Sequence, residues 1–238
     1  MAVARISREK FKTYEGVFDQ FTLRNLFELS AKGHFDELVS PIALGKEAHV
    51  FSARKGEGYV AIKIYRLETC DFNKMHDYLA QDPRYVGISN NRRKIIFLWT
   101  QREYRNLLKA SSAGVRVPLP YYYKDNLLIE EFIGDEGPAP KLKDVDSFPK
   151  QHCYNLILQN IAKLYKANLV HGDLSAFNIL YHQRQPIFID FSQAMPMTAS
   201  NANELLLRDL TNIHRFFASR GLTMKKSPQQ LFSWLSGL

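Results

Sequence analysis

The spacing of apolar residues near the start of the chain predicts a helical segment that precedes the first strands. Between residues 21 and 39 the apolar positions fall into two groups separated by Gly33: Leu23, Leu26 and Phe27, then Phe35, Leu38 and Val39. This spacing predicts two short helices with a turn at Lys32-Gly33, and Thr22 is a candidate N-cap for the first. Such a pair either reads DNA or packs on a neighbouring sheet. Leu and Phe faces at this spacing favour packing.

Two apolar or alternating runs, 40–53 and 59–65, predict a β-hairpin with its turn at Lys55-Gly-Glu-Gly58. Lys63 lies inside the second run. There it is either an edge-strand lysine facing solvent or a buried lysine presented to a phosphate. The short turn Gly45-Lys46-Glu47 offers backbone N–H groups and an ammonium, which also suit a phosphate.

A polar, weakly periodic stretch over 66–94 predicts a long excursion that is partly helical and mobile. The next helix places six residues roughly on one side and ends near Ala113-Gly114; they are Ile95, Ile96, Trp99, Glu103, Leu107 and Leu108. Because Glu103 lies within this apolar stripe, it needs a partner. Lys63 is one candidate, and a surface pairing with Arg102 or Arg105 is the other.

The second half of the chain reads as mainly helical. Residues 127–133 predict a buried strand, and the Pro- and Gly-rich segment 134–140 then marks a lobe boundary. Helical spacing resumes at Tyr154 and continues in two further helices over 205–220 and 228–238. The predicted fold class is therefore α+β, with a small sheet and one key helix in the first half.

A polar cluster of His171, Asp173 and Asn178 interrupts an apolar run, and the next apolar run carries a single acid, Asp190. An acid within Ile-Phe-Ile-Asp-Phe is costly to bury unless it meets a metal or a partner. Two carboxylates and an amide are suitable ligands for magnesium bound to phosphate. The pattern predicts a phosphoryl-transfer site in which Asp173 is the base, Asn178 and Asp190 hold Mg²⁺ or Mn²⁺, and His171 shapes the loop. The alternative is a buried turn with incidental polar residues, which leaves their ordered combination unexplained.

Composition narrows the class of protein without specifying a function. With 45% hydrophobic and 24% charged residues, the chain fits an ordinary globular protein rather than a disordered one. Its charge of +8 fits a nucleic-acid or ribonucleoprotein partner, an ATP site, or simply a solvated basic face. Cys70 and Cys153 allow one disulfide, but two free thiols in a reducing compartment are favoured. The start lacks the apolar core of a signal peptide and no run reaches membrane-spanning length, so we expect a cytoplasmic protein without membrane contact.

Five residues in order resemble the functional residues of the protein-kinase-like fold: Lys63, Glu103, Asp173, Asn178 and Asp190. More narrowly, six motifs are similar to those of the RIO family of atypical kinases; they are Gly45-Lys-Glu-Ala48, Ala61-Ile-Lys-Ile-Tyr65, Glu103-Tyr-Arg-Asn-Leu107, Glu131-Phe-Ile-Gly134, Leu169-Val-His-Gly-Asp-Leu-Ser175 and Ile189-Asp-Phe-Ser-Gln193. Ser192-Gln193 resembles the type-one subgroup, as does the lack of a large N-terminal winged-helix domain. The short length is similar to that of archaeal members.

The resemblance implies a bilobal kinase fold with a helical extension over 1–40 packed on the N-lobe. The N-lobe would cover 41–134, with a flexible loop at about 66–94, and the C-lobe 135–238. It implies that Lys63, paired with Glu103, binds ATP together with Gly45, Lys46, Glu47, Glu131 and Ile133. Two positions depart from the family pattern: Glu130 stands where relatives often have methionine, and Ala176 replaces a frequent glutamate.

The same resemblance implies an ATP-dependent serine/threonine protein kinase that autophosphorylates. It also implies ATPase activity through an aspartyl-phosphate at Asp190, and a role in small ribosomal subunit maturation with pre-ribosomal protein and rRNA as partners. We expect a monomer. A small-molecule kinase resembling aminoglycoside phosphotransferases is the alternative, although the Gly45-Lys-Glu-Ala48 turn and Ser192-Gln193 argue against it. A catalytically dead binding module is disfavoured, because every expected catalytic residue is present.

Overall fold

The computed structural model describes residues 17–85, 87–88 and 90–237, so residues 1–16 of the predicted helical extension lie outside the described residues. The chain forms two compact units. Unit 1 consists of the residues up to Asp77, Ile88–Tyr104 and Pro120–Phe132. Unit 2 consists of Tyr78–Gly87, Arg105–Leu119 and the chain from Ile133 onward.

The fold class is α+β, as the sequence predicts. The helices are α1 (Gln20–Ala31), α2 (Phe72–Ala80), α3 (Arg92–Ser112), α4 (Lys150–Lys166), α5 (Ala202–Ser219) and α6 (Pro228–Ser236). The strands are β1 (Glu37–Leu44), β2 (Ala48–Lys55), β3 (Gly58–Tyr65), β4 (Pro120–Lys124), β5 (Leu127–Glu131), β6 (Ile179–His182) and β7 (Gln185–Phe188). In the described part of the chain, no helix is long and apolar enough to span a membrane.

Unit 1 contains a five-stranded antiparallel sheet with the order β1-β2-β3-β5-β4. Its middle strand, β3, is hydrogen-bonded to a strand on each side and is buried from Val60 to Tyr65. Lys63 lies opposite Val50 on β2 and Leu128 on β5. Lys63 is therefore a central-strand residue, and the edge-strand interpretation is wrong.

Helix α1 packs on this sheet through one apolar face. Leu23, Leu26 and Leu29 are spaced three residues apart and share a buried cluster with residues of β2, β3 and β5. The helix begins at Asp19, whose carboxylate accepts the N–H groups of Phe21 and Thr22 at 3.0 Å each. The predicted N-cap, Thr22, is therefore wrong: Thr22 is the third residue of the helix. The packing interpretation of this helix, rather than the DNA-reading one, agrees with the structure.

The second predicted N-terminal helix is wrong, because residues 37–44 form strand β1. Its register against β2 shifts twice, between Leu38 and Ser40 and between Pro41 and Ala43. These irregularities remove the strict alternation by which a strand is recognised, and Leu38 and Val39 then mimic helical spacing. The predicted first strand, 40–53, is in fact the end of β1, a turn at Gly45-Lys46-Glu47, and most of β2.

Unit 2 contains α4, α5 and α6 together with the two-stranded antiparallel sheet β6-β7. Tyr154 of α4 and Phe217 of α5 pack edge to face, with their ring centroids 5.1 Å apart. Helix α6 begins with a capping box between Ser227 and Gln230. The segment between Asp190 and α5 contains a short 3₁₀ turn, Phe191–Gln193, an isolated β-bridge between Met195 and Val170, and irregular chain.

Cys70 and Cys153 are both free and buried, so they form no disulfide. Burial raises the pKa of each thiol to about 12. Both thiols are therefore protonated at neutral pH and are poor nucleophiles.

Candidate functional site

The predicted pair of Lys63 and Glu103 forms in unit 1. Lys63 Nζ donates to Glu103 Oε1 at 2.7 Å, and the hydroxyl of Tyr65 donates to the other carboxylate oxygen. The side chains of Lys63 and Glu103 are only 9% and 1% exposed. A buried ion pair of this kind costs much to desolvate and is weak evidence for stability alone, but it holds an ammonium in a defined place.

The turn at Gly45-Lys46-Glu47 joins β1 to β2 and is closed by its own backbone. Gly45 N–H donates to the carbonyl of Ala48 at 3.0 Å, and a Cβ atom at Gly45 would lie 2.9 Å from that carbonyl oxygen. A side chain therefore does not fit there without a backbone shift. The carbonyl of Glu47 accepts Arg66 N–H and Cys70 Sγ, both at 3.0 Å, which anchors the turn to the chain after β3.

Glu131 and Ile133, the other predicted nucleotide contacts, lie at and just beyond the end of β5. Glu131 pairs with Val60 in the sheet of unit 1. Ile133 belongs to unit 2, where it is buried with Ala139 and Ile187. Its carbonyl accepts Ala139 N–H at 2.8 Å. Binding by these two residues stays a prediction.

The loop in unit 2 that contains Asp173 and Asn178 brings the two side chains together. Asn178 Nδ2 donates to the carboxylate Oδ2 of Asp173 at 3.0 Å and to its backbone carbonyl at 2.8 Å. Because the amide nitrogen is committed to Asp173, the amide oxygen of Asn178 is the atom that suits a cation. Gly172 has φ +80, and a Cβ there would lie 3.1 Å from the carbonyl oxygen of Gln193, so the loop requires glycine at this position.

Asp190 lies directly after β7 in a left-handed backbone conformation, with φ 63 and ψ 66. Such a conformation is uncommon for a residue other than glycine and is maintained only where the surroundings over-determine it. The preceding Ile189 N–H donates to the carbonyl of Asn178 at 3.0 Å, which places Asn178 and Asp190 side by side. Ser192 Oγ donates to Asp190 Oδ1 at 2.8 Å.

His171 is buried within the same loop and shapes it, as the sequence predicts. Its Nδ1 accepts Asp173 N–H at 3.3 Å, and its Nε2 lies 3.0 Å from the carbonyl oxygen of Ile189. These contacts are consistent with the neutral tautomer that carries its proton on Nε2. The ring also packs on Phe191, with centroids 4.6 Å apart. His171 thus connects the loop of Asp173 to the chain on both sides of Asp190.

The chemistry of Asp190 and Asn178 fits a magnesium ion bound with a nucleotide. A carboxylate and an amide oxygen are hard ligands, and Mg²⁺ is commonly held by one or two carboxylates plus phosphate oxygens and water. Among the residues that the structure describes, no group of three or more His, Cys, Asp or Glu side chains is arranged to hold a metal by itself. The donor set is therefore suited to a metal that arrives with phosphate.

Asp209 on α5 supports this loop and was missed by the sequence reasoning. Its two carboxylate oxygens accept the N–H groups of Gly172 and Leu174, each at 2.8 Å. It is 2% exposed, and burial raises the pKa of its carboxyl to about 7, against the lowering effect of those two N–H groups. The available signal was an acid within the apolar stripe of a helix, between Leu206 and Leu210.

Replacing Asp209 by Asn is expected to alter the pH dependence of stability. Between about pH 4 and pH 7 the folded protein keeps the proton that the unfolded chain has lost, because the pKa rises from 3.8 to about 7. The contribution of Asp209 to the unfolding free energy therefore falls with rising pH, by up to about 1.4 kcal/mol per unit. Urea unfolding of both proteins across this range measures the effect.

The expected result is that the stability of Asp209→Asn relative to wild type increases from pH 4 to pH 7. Asp144→Asn is the matched control, since Asp144 is also in unit 2 but its side chain is 51% exposed. A stability difference between Asp209→Asn and wild type that is constant over the range would contradict the assignment.

Comparison with known proteins assigns this chain to a family. The family model described as RIO domain matches residues 49–231. The RIO-type serine/threonine-protein kinase Rio1 of Methanocaldococcus jannaschii is 41% identical over 231 residues, covering 96% of this chain and 79% of the relative. The protein of the same name from Haloferax volcanii is 38% identical, covering 90% of this chain and 74% of the relative.

Solved structures support the fold assignment. The crystal structure of the Rio2 kinase-ADP/Mg²⁺-phosphoaspartate complex from Chaetomium thermophilum matches with a TM-score of 0.73 and 22% identity. The match covers 90% of this chain, and the chain spans 65% of the length of that structure. The chain belongs to the RIO family of serine/threonine protein kinases, most similar among these relatives to archaeal Rio1 proteins.

Proposed function

We propose that the chain uses Mg²⁺-ATP to transfer phosphate to serine, including its own, and hydrolyses ATP during maturation of the small ribosomal subunit in the cytoplasm. The observation that carries the proposal is the arrangement of Asp173, Asn178 and Asp190 in one hydrogen-bonded loop system. The buried ammonium of Lys63 is consistent with phosphate binding in unit 1. Gly45, Lys46, Glu47, Glu131 and Ile133 are proposed to complete nucleotide binding.

In the kinase reaction, Asp173 accepts the proton of the attacking serine hydroxyl. The hydroxyl oxygen forms a bond to the γ-phosphorus, and the bond from that phosphorus to the leaving oxygen of ADP breaks. A positioned base contributes about 10²–10⁴ in rate. Mg²⁺, when bound by Asn178 and Asp190, supplies positive charge to the phosphate oxygens.

In the ATPase reaction, a carboxylate oxygen of Asp190 attacks the γ-phosphorus and ADP leaves, so an acyl phosphate forms on Asp190. Water then attacks that phosphorus and gives its proton to Asp173, which releases inorganic phosphate and restores the carboxylate. A similar structure, the Rio2 kinase of Chaetomium thermophilum, is described as a phosphoaspartate complex, which supports this route. The hydrogen bond from Ser192 to Oδ1 helps to orient the carboxylate of Asp190.

The proposed ribosomal role is supported by the charge of +8, which suits an RNA-rich particle. The chain also passes from Asp190 to α5 at Ala202 without an extended activation segment. This favours a kinase that binds a ribosomal particle over one that binds its substrate as an extended peptide.

The decisive experiment is an assay with [γ-³²P]ATP, with and without small-subunit precursor particles, that scores free phosphate against protein-bound label. Free phosphate whose release responds to the particles, together with label on the protein itself, is the expected result. Robust transfer to an added protein without any particle effect would favour a dedicated protein kinase. Transfer to an aminoglycoside-like acceptor instead would overturn the proposal.

Asp173→Ala is expected to remove phosphate transfer, by about 10²–10⁴-fold, while Mg²⁺-ATP binding is retained. The reason is that Asp173 is proposed to handle a proton and not to hold the metal. Single-turnover transfer and nucleotide binding by calorimetry measure the two properties separately. Loss of Mg²⁺-ATP binding with an intact fold would instead identify Asp173 as a metal ligand.

A further inference from the structure

A second hydrogen-bond network in unit 2 holds the chain that follows Asp190. Asn106 on α3 is fully buried, and its Nδ2 donates to the carbonyls of Phe191 at 2.9 Å and Ala194 at 2.7 Å. These two carbonyls lie at the two ends of the short turn after Asp190. One amide group therefore sets the path of the backbone on the C-terminal side of Asp190.

The orientation of the Asn106 amide is itself determined by Arg84. Arg84 Nη1 donates to Asn106 Oδ1 at 2.9 Å, so the amide oxygen faces the guanidinium and the amide nitrogen faces the two carbonyls. A flipped amide would put its oxygen against the carbonyl oxygens of Phe191 and Ala194. A donor at the position of Arg84 excludes that alternative.

Arg84 is held in place by Asp82, which is fully buried. The carboxylate accepts Arg84 Nε at 2.9 Å and Nη2 at 2.6 Å, a two-pronged contact that also fixes the plane of the guanidinium. Asp82 additionally accepts Arg84 N–H at 3.1 Å. A lysine cannot reproduce this forked geometry.

Asp190 needs such support, since it adopts a left-handed backbone with φ 63. His171 and Asn178 fix the residue before it, through contacts to the carbonyl and the N–H of Ile189, both at 3.0 Å. Asn106 fixes the residues after it. Both flanks of Asp190 are thus held by side chains or backbone groups from other parts of unit 2.

We infer that Arg84 is a positioning residue for metal binding by Asp190, acting through Asn106. The inference rests on the proposed function in assigning Asp190 to the metal. It gives a role to part of the stretch over 66–94, which the sequence predicts to be a partly helical, mobile excursion. The Asp82-Pro-Arg84 turn in that stretch belongs to unit 2 and is hydrogen-bonded to the chain that follows Asp190.

The test is Arg84→Gln in the full chain, with Mn²⁺ as the probe. Electron paramagnetic resonance measures Mn²⁺ bound to the ADP-loaded protein, and calorimetry measures ADP binding without metal. Because supporting partners of a metal site typically contribute about 10–100-fold to affinity, we expect Mn²⁺ binding to weaken about tenfold. ADP binding without metal should stay within twofold of wild type.

Arg220→Gln is the matched control. Arg220 also donates to two backbone carbonyls in unit 2, those of Lys143 at 2.5 Å and Val145 at 3.3 Å, but it lies outside this network. It should leave Mn²⁺ binding unchanged, although it removes a comparable arginine contact. An equal loss in Arg220→Gln would reduce the effect to general destabilisation and overturn the inference.

A double-variant cycle tests whether Arg84 acts through Asn106. In an Asn106→Ala background, Arg84→Gln should weaken Mn²⁺ binding by less than about twofold further, because the intermediary is gone. Fully additive losses would refute this route. Arg84→Lys, which keeps the charge beside Asp82 but not the fork, provides the same comparison if Arg84→Gln does not fold.

Asp190→Asn separates this inference from the proposed function. If Asp190→Asn retains wild-type Mn²⁺ binding, the metal assignment of the proposed function fails. If Asp190→Asn loses Mn²⁺ while Arg84→Gln and Arg84→Lys bind it as wild type does, the inference about Arg84 fails and the metal assignment stands.

Discussion

Asp190→Asn is expected to lower phosphate transfer by about a thousandfold or more. The substitution removes the carboxylate proposed to hold the metal, and a correctly held metal contributes several kcal/mol of charge stabilisation at a transferring phosphoryl group. It also removes the carboxylate proposed to accept phosphate. Transfer of label from [γ-³²P]ATP and release of inorganic phosphate should both disappear.

The fold should survive this change. Asn has nearly the volume of Asp, its oxygen still accepts the hydroxyl of Ser192, and Asn also tolerates the left-handed backbone at this position. Circular dichroism and the melting temperature should therefore match those of wild type. Asp144→Asn, an exposed acid of the same unit, should keep full activity. Turnover at the wild-type level in purified Asp190→Asn would overturn the site assignment.

Lys63→Met is expected to remove phosphate transfer and also to destabilise the protein. Glu103 is 1% exposed, so loss of the ammonium leaves a buried carboxylate that has lost its ion pair, while the hydroxyl of Tyr65 still donates to it. Breaking a buried pair in this way typically costs about 3–5 kcal/mol. Urea unfolding measures that cost, and [γ-³²P]ATP measures the loss of transfer.

The two effects should separate in the double variant Lys63→Met with Glu103→Gln. Removing the second charge should restore most of the stability, because an amide still accepts the hydroxyl of Tyr65, whereas transfer should stay absent. Lys32→Met is the matched control for an exposed pair: Lys32 and Glu28 are 54% and 40% exposed, so the loss of stability should be much smaller than in Lys63→Met. Activity in Lys63→Met, or a double variant as unstable as the single one, would contradict the role given to this pair.

The long periodic helices and the buried strands were predictable from local pattern. Helices α3, α4, α5 and α6 lie close to the predicted positions, since each repeats apolar residues every three or four positions. The start of strand β1, residues 37–39, was predicted as a helix because two register shifts break the alternation of the strand. The pattern signals a strand only when the strand is regular and one of its faces is buried.

For the candidate site, the identity and order of the groups were evident from the sequence, because acids and amides inside apolar runs stand out against the cost of burying them. The choice between partners was open from the pattern alone and was implied only by the family resemblance. Glu103 had Lys63 and two neighbouring arginines as candidates, and the structure pairs it with Lys63 at 2.7 Å. Sequence proximity favoured the arginines, but the sheet and α3 bring the distant lysine to the carboxylate.

The supporting residues depended even more on tertiary structure. Asp209 binds a loop more than thirty positions earlier in the chain, and Arg84 meets Asn106 across a separation of 22 positions. Such contacts leave little local pattern, since only the packed chain decides which buried donor meets which acceptor. The amino-acid sequence by itself therefore determined the chemical groups, their order and the family. Tertiary packing decided which partners hold each group in place, because burial makes every polar group depend on a specific neighbour.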